Sequence, residues 1–405
     1  MPQQSPLFIP PPMTFDFDFP IDRTNTDSEK FDGRQRYFGR GDIIPLWVAD
    51  MDFAVPPCVS EAIYKRAQHP VLGYTLYPES LYQSVIDWFQ TRHQWRIERD
   101  WILMMPGVVP SLHACCLALA NEQEGVIIQP PVYFPFFSTV TNTKRRLLLN
   151  PLQQIDGNYQ IDFAELDQQA AEAKILLFCT PHNPVGRVWK SEELRQLLRI
   201  AMRHDLILVS DDIHADIIFP GHKHTMLGTF ASEPEFADFI QRNLITAVAP
   251  SKTFNIPGMG LSSLIVPDAQ KRKKILQTME LLHVSNHNPF SIVAFEAAYR
   301  DGADWLDALL QYLDGNKQFV RQFLAERIPK ISANDAEGTY LLWLDCRQLQ
   351  MDDHQLRDFF IHRCGVGFSA GIIFGKVGSG FMRMNLGAPR KTLQTALEAI
   401  ERELK

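Results

Sequence analysis

Between about residues 101 and 266, the chain alternates short, unbroken apolar runs with segments of helical periodicity. The apolar runs cover residues 126–129, 146–149, 175–179, 206–210, 244–248 and 263–266. A strand that is apolar along its whole length is buried on both faces, as in a sheet covered by crossover helices. The alternation therefore predicts an α/β domain built on a mainly parallel sheet.

The pattern changes on either side of this region. Residues 1–60 are irregular and rich in proline, and after about residue 286 helical segments give way to strand-like stretches and glycine-rich turns. A length of 405 residues suggests two or three domains at roughly 150 residues each. We expect a large α/β domain over residues 61–295 and a smaller α+β domain formed by residues 1–60 and 296–405.

Charge and patterning exclude several protein classes. The 40 basic and 47 acidic residues give a net charge of −7, whereas nucleic-acid-binding proteins are usually basic. No apolar run approaches the ~18 residues of a membrane-spanning helix, and prolines 10–12 interrupt any signal-peptide pattern. The six cysteines form no C-x-x-C motif, which is typical of reduced thiols. We predict a cytoplasmic protein without nucleic-acid or membrane partners.

Four predicted strands are followed by chemically distinctive side chains. These are Tyr133, Asn183, Asp211 and Lys252. Because sites in open α/β sheets lie beyond the carboxyl ends of the strands, we expect these side chains to meet at one edge. A buried carboxylate there requires a cation, and a buried lysine has a lowered pKa that suits imine formation.

A turn containing Gly107 precedes another helical pattern. Free N–H groups at a helix N-terminus bind phosphate, although many helices begin this way. Combined with a lysine, an acid and an aromatic ring at the strand ends, such a turn meets the requirements of pyridoxal 5'-phosphate (PLP). We therefore predict PLP as the cofactor.

Several segments resemble the fold-type I PLP-dependent enzymes of the class I/II aminotransferase superfamily. They lie at residues 183–187, 210–214, 251–255 and 383–385. Residues 47–53, 73–75 and 337–340, together with His214, are similar to the cystathionine β-lyase (cysteine C–S lyase) branch of that superfamily. The resemblance covers essentially the whole chain. It implies the fold-type I PLP-dependent transferase fold, with a large mainly parallel-sheet domain and a smaller α+β domain.

The resemblance also implies roles for the residues around the cofactor ring. Lys252 would form the imine with PLP and move the Cα proton of the substrate. Asp211 would pair with the pyridine nitrogen, and Asn183 would donate to the phenolic oxygen. His214 would lie near the same oxygen, and Tyr133 would stack on the ring.

Further roles concern the phosphate and the substrate. The backbone amides of Val108 and Val109 and the hydroxyl of Ser251 would bind the phosphate. Arg383 would bind the α-carboxylate of an amino-acid substrate in a bidentate manner. Tyr74 would reach the phosphate in the neighbouring subunit, because members of the superfamily form homodimers with shared sites.

The reaction is predicted from the branch motifs and from the pocket. Trp47, Tyr133 and Phe136 would form an apolar substrate pocket suited to a thioether, and no additional arginine is apparent beside them for a second carboxylate. At the position where many aminotransferases bind phosphate with arginine, this chain has Gly260. We predict β-elimination from a cysteine S-conjugate such as cystathionine, giving pyruvate, ammonia and a thiol.

Two alternatives remain at this stage. An aminotransferase would use the same lysine, and a partner-binding regulatory protein could keep the fold. Residues 367–371 match the G-x-S-x-G motif of serine hydrolases, but no histidine or aspartate follows Ser369. His222 and His224 are interpreted as surface or loop residues, and we predict no metal site.

Overall fold

The computed structural model describes residues 15–155, 157–284 and 287–405. Its strands are β1 (Ile44–Pro45), β2 (Ile102–Met105), β3 (Gly125–Ile128), β4 (Arg146–Leu149), β5 (Gln153–Ile155), β6 (Asn158–Gln160), β7 (Ala173–Cys179), β8 (Ile207–Asp211), β9 (Leu244–Val248), β10 (Ser262–Ile265), β11 (Ser332–Ala333), β12 (Leu341–Asp345), β13 (Val366–Gly367), β14 (Ser369–Ala370) and β15 (Phe381–Asn385). Prolines 10–12, used above in the prediction about a signal peptide, lie outside the described residues.

The α-helices connect and cover these strands. They are α1 (Arg34–Phe38), α2 (Pro57–Ala67), α3 (Glu79–His93), α4 (Val108–Leu119), α5 (Pro135–Asn142), α6 (Phe163–Ala170), α7 (Ser191–Arg203), α8 (Ala237–Asn243), α9 (Pro250–Thr253), α10 (Ala269–Leu281), α11 (Pro289–Asp301), α12 (Ala303–Arg327), α13 (Asp353–Asp358) and α14 (Arg390–Leu404). None of the helices in the described ranges is both long and apolar enough to span a bilayer.

The large sheet has seven strands in the order β2-β10-β9-β8-β7-β3-β4. The neighbours from β9 to β4 pair in parallel, and β10 runs antiparallel to both β9 and β2. The prediction of a mainly parallel sheet is confirmed. Strand β2 was not among the predicted strands, although its apolar run ends at the turn that contains Gly107.

Helices cover both faces of this sheet, which explains why its strands are apolar throughout. Along β3, Val126 and Ile128 contact one apolar layer, which also contains Leu112 of α4. The intervening Ile127 faces the opposite layer, which contains Leu197 of α7. Because successive side chains of a strand point to opposite faces, both faces of β3 are buried.

A second, antiparallel sheet has the order β11-β12-β15-β14. The segment near residue 46 attaches to this part of the chain. The backbone N–H of Leu46 donates to the carbonyl of Gly367 over 2.8 Å, and the amide of Asn385 donates to the carbonyls of Val48 and Asp50 over 2.7 Å each. These bonds fix residues 46–50 beside β15, from which Arg383 projects.

Candidate active site

A cavity of about 260 Å³ lies beyond the carboxyl ends of the parallel strands. Asp211 ends β8, Lys252 lies in α9 directly after β9, and Asn183 and Tyr133 follow β7 and β3. All four line the cavity, together with Val108, Val109, His214 and Ser251. The structure therefore brings together the strand-end side chains as expected from the topology.

The side chain of Lys252 is held inside this cavity by a hydrogen bond to a backbone carbonyl. Its Nζ donates to the carbonyl of Ala49 over 2.7 Å, and the hydroxyl of Tyr340 donates to the same carbonyl over 2.9 Å. Burial lowers the pKa of Lys252 to about 8, because the ammonium form loses its hydration. A substantial neutral fraction at physiological pH suits both imine formation and proton transfer.

Asp211 is a buried acid at the end of β8. It is 5% exposed, and its Oδ1 accepts a hydrogen bond from the backbone N–H of Ile213 over 3.2 Å. No basic side chain of the described residues forms an ion pair with it. Burial raises the pKa of Asp211 to about 7. A cationic ring nitrogen placed against this carboxylate would stabilise its ionised form.

Arg383 is a buried guanidinium with neutral partners. It donates to Asn183 Oδ1 over 3.0 Å, to the carbonyl of Trp47 over 3.0 Å and to Ser369 Oγ over 3.2 Å. Its Nε has no hydrogen-bond partner, and no carboxylate in the described ranges lies within ion-pair distance. Burial lowers the pKa of Arg383 to about 10. An incoming carboxylate would supply the missing counter-charge.

The first turn of α4 presents backbone donors to the cavity. Gly107 precedes the helix with φ +150°, and Val108 and Val109 line the cavity beside Ser251. Within the described residues, the N–H groups of Val108 and Val109 have no hydrogen-bond partner. Such free donors at a helix N-terminus bind phosphate.

His214 is a neutral ring in the cavity wall. Burial lowers its pKa to about 3, and its Nδ1 has no hydrogen-bond partner among the described residues. The ring lies edge-on to Tyr340, with 5.8 Å between centroids. An acceptor or donor bound in the cavity would satisfy this nitrogen.

A second cavity of about 580 Å³ continues from the first and shares Lys252, Tyr133 and Ala49 with it. Trp47 and Arg383, the two residues predicted to bind substrate, line it. The prediction for Phe136 is wrong. Since α5 begins at Pro135, the helix turns Phe136 into the core, where it is fully buried, while Phe134 lines the cavity.

The expectation that no additional arginine lies beside this pocket is also wrong. Arg357 of α13 lines the second cavity near Trp47. These two residues are far apart in sequence, so only the tertiary packing of α13 against residues 37–47 reveals the arrangement. Tyr74, by contrast, lies outside both cavities and is fully exposed.

Ser369 is a site residue whose position sequence reasoning missed. Its hydroxyl donates to the carbonyl of Trp47 over 3.0 Å and accepts from Arg383. It sits on β14 directly opposite Arg383 on β15. Ser369 is the serine of the G-x-S-x-G pattern, but its hydrogen bonds position the guanidinium of Arg383.

Buried carboxylates support the floor of the site. Asp212 accepts a hydrogen bond from Ser210 and lies 2.8 Å from His224 Nε2. His224 lies in the loop segment after β8, as one of the two interpretations expected, but its side chain is buried and not at the surface. Asp216 accepts from Thr253 Oγ1 over 2.8 Å. Since Thr253 follows Lys252, this bond ties α9 to the core.

We expect Asp216→Ala to lower the free energy of unfolding by about 2–4 kcal/mol, because buried donors lose their acceptor. Those donors are Thr253, Trp88 and the ring of His93. Urea denaturation would measure the loss. Asp216→Asn keeps one acceptor oxygen and serves as the matched control, with a smaller expected loss. Equal stability of wild type and Asp216→Ala would contradict this role.

The donor set matches the charged groups of PLP. The free amides and Ser251 could bind a phosphate, and Asp211 could pair with a ring nitrogen. Asn183 has an amide nitrogen available for a ring oxygen, and Lys252 is an amine for the aldehyde. In the described part of the chain, no cluster of three or more His, Cys, Asp or Glu side chains is arranged to hold a metal ion.

The sequence matches a family model and several curated proteins. The family model described as aminotransferase class I and II matches residues 41–400. The chain is 37% identical over 390 residues to cystathionine beta-lyase PatB of Bacillus subtilis (strain 168), covering 96% of this chain and 99% of that protein. It is 30% identical over 390 residues to protein MalY of Escherichia coli (strain K12), covering 95% of this chain and 98% of MalY.

Solved structures show the same fold. Cystalysin from Treponema denticola, whose structure contains a PLP cofactor, superposes with a TM-score of 0.92 at 38% identity, covering 97% of this chain and 99% of that chain. The PLP-bound C–S lyase from Staphylococcus hominis superposes with a TM-score of 0.89 at 30% identity, covering 97% and 98% of the respective chains.

Proposed function

Because the chain belongs to the family of class I and II aminotransferases, we propose that it is a PLP-dependent carbon–sulfur lyase. Its substrates are cysteine S-conjugates such as cystathionine, and its products are pyruvate, ammonia and a thiol. The proposal rests on one observation. Lys252 and Arg383, which has no carboxylate partner among the described residues, line the same cavity, and the walls of that cavity are largely apolar. The similarity to PatB, cystalysin and the staphylococcal C–S lyase supports the same reaction.

Different residues of the cavity would bind different parts of the cofactor. The amides of Val108 and Val109 and the Ser251 hydroxyl would hold the phosphate, and Tyr133 would pack against the ring. Asp211 would pair with the ring nitrogen, which would favour its ionised form. When bound, PLP supplies an electron-accepting ring that stabilises negative charge on the substrate carbon next to the amino group.

The protein's own groups then control the substrate. Arg383 binds the α-carboxylate through a charge-assisted, forked contact. Lys252 takes the Cα proton, which its lowered pKa permits near neutral pH. The Cβ–S bond then breaks, and the β-thiolate takes up a proton and leaves as the thiol. Water hydrolyses the released 2-aminoacrylate to pyruvate and ammonia. The apolar walls formed by Trp47 and Phe134 accommodate the thioether.

The test is an assay of the PLP-loaded protein with cystathionine. We expect thiol, pyruvate and ammonia in equal amounts. Amino acids that lack a β-leaving group, such as alanine, should give no thiol and only slow conversion of the cofactor. Turnover without thiol release would overturn the proposal in favour of the aminotransferase alternative.

Assembly and location belong to the same proposal. The protein forms a homodimer in the cytoplasm, with Tyr74 of each subunit reaching the phosphate site of the other. Exposed apolar side chains around Tyr74 support a second copy as the occupant of this surface; they are Val71, Leu72 and Leu76. The division into a large domain, 61–295, and a small domain, 1–60 with 296–405, is likewise proposed.

Mixed dimers test the sharing of sites. Tyr74→Ala should lower activity by about 10-fold through a lost hydrogen bond to phosphate. Mixing it with inactive Lys252→Ala subunits should restore activity toward about a quarter of wild type, because one site per hybrid has both residues intact. Tyr64→Ala, at another exposed tyrosine, is the control and should remain active alone. A monomer in light scattering, or no restoration, would contradict shared sites.

A further inference from the structure

The second cavity connects the reaction centre to a charged mouth at the surface. We define the mouth by Glu29, Tyr37, His354 and Arg357, which line the same cavity as Lys252 and Arg383. These four residues come from two distant parts of the chain. Between the mouth and Lys252, the walls are mostly apolar and include Trp47, Phe134, Phe368, Ile372 and Ile373.

Arg357 provides an exposed positive charge. Its guanidinium donates to the backbone carbonyl of Tyr37 over 3.1 Å. No carboxylate of residues 15–155, 157–284 or 287–405 forms an ion pair with it. A single bond to a neutral oxygen leaves most of the donors of an arginine available.

Glu29 provides the complementary negative charge. Its Oε1 accepts from the hydroxyl of Tyr37 over 2.7 Å, and none of the described cations pairs with it. The other acid at the mouth, Asp353, already accepts from Ser379 Oγ over 2.8 Å and from the N–H of Gly380 over 2.9 Å. Tyr37 thus contacts both Glu29 and Arg357, which carry opposite charges and do not form an ion pair with each other.

We propose that this mouth binds the departing half of the substrate, and that this half ends in an α-amino-acid zwitterion. Arg357 binds its carboxylate, Glu29 binds its ammonium, and the apolar walls hold the carbon–sulfur chain between the two amino-acid ends. The inference rests on the proposed lyase function and narrows it to conjugates with a charged sulfur substituent. The homocysteine half of cystathionine has this chemistry, whereas a simple S-alkyl group does not.

Selectivity between substrates tests the proposal. In the PLP-loaded enzyme, Arg357→Gln should lower kcat/KM for cystathionine about 10-fold relative to that for S-ethylcysteine, because one charge-assisted contact is lost. Arg357→Lys should recover part of the preference, since it keeps the charge without the fork. Arg363→Gln removes the same charge from an arginine that contacts Glu403 instead, and it should leave the ratio unchanged.

A third substrate separates the two charges. Glu29→Gln should lower kcat/KM for cystathionine but have little effect on kcat/KM for S-(2-carboxyethyl)cysteine, which has the distal carboxylate and no distal ammonium. Arg357→Gln should lower kcat/KM for both substrates. Equal losses for all three substrates, or an unchanged cystathionine preference in Arg357→Gln, would overturn the proposal.

A binding measurement distinguishes failure of this inference from failure of the lyase function. Calorimetric titration of PLP-loaded Lys252→Ala protein, with and without Arg357→Gln, requires no turnover. We expect the Kd for cystathionine to rise about 10-fold with Arg357→Gln, and the Kd for S-ethylcysteine to be nearly unchanged. Equal Kd values for cystathionine in the two proteins would overturn the inference even if the wild type is an active lyase.

Discussion

Lys252→Ala is expected to lower the rate of pyruvate release from cystathionine by about 10⁴-fold, because the protein loses both the amine that binds PLP and the base that takes the Cα proton. The fold should survive. Ala49 loses one donor but keeps the hydroxyl of Tyr340 on the same carbonyl oxygen. Kinetics and thermal unfolding together would separate loss of chemistry from loss of structure.

Chemical trapping gives an independent measurement of the same residue. Borohydride treatment of the PLP-loaded wild type should fix the cofactor covalently on Lys252, as found by peptide mapping. Lys273→Ala, at an exposed position on α10, is the matched control and should retain full activity and labelling. Label on another lysine would refute the assignment.

Arg383→Ala should weaken binding of amino-acid substrates by about 30-fold to several-thousand-fold, the range expected when one partner of a buried charged pair is removed. The absorbance of bound PLP should be nearly unchanged, because Arg383 lines the second cavity and not the one assigned to the cofactor. That carbonyl keeps the Ser369 hydroxyl as a donor, so the loss of stability should be modest.

Two further variants sharpen this prediction. Arg383→Lys should restore binding only in part, because an ammonium cannot reproduce the forked geometry. Arg363→Gln removes a guanidinium outside the site and should not change KM. Wild-type substrate affinity in Arg383→Ala, measured by spectral titration, would show that another group binds the α-carboxylate.

The parts of the fold that sequence predicts well are those governed by local pattern. Strands Arg146–Leu149 and Leu244–Val248 have the predicted bounds because each is a short apolar run between turns. The meeting of Asp211 and Lys252 followed from topology, since neighbouring parallel strands end at one edge of the sheet.

The parts that sequence could not predict depend on orientation and on distant packing. Residues 134 and 136 are both phenylalanine, and only the rotation of α5 decides which of them lines the cavity. Arg357 reaches the pocket through contacts between α13 and Tyr37. Ser369 serves Arg383 because β14 and β15 are in register, a pairing that no local signal encodes.

The central claim is that the site eliminates a thiol instead of exchanging an amino group. The most direct measurement is the initial rate of pyruvate formation from cystathionine by the PLP-loaded wild type, at zero and at saturating 2-oxo acid. We expect the full rate without any 2-oxo acid, with one thiol and one ammonia released per pyruvate. A rate that is negligible without the 2-oxo acid, rises with its concentration and yields no free thiol would contradict the claim.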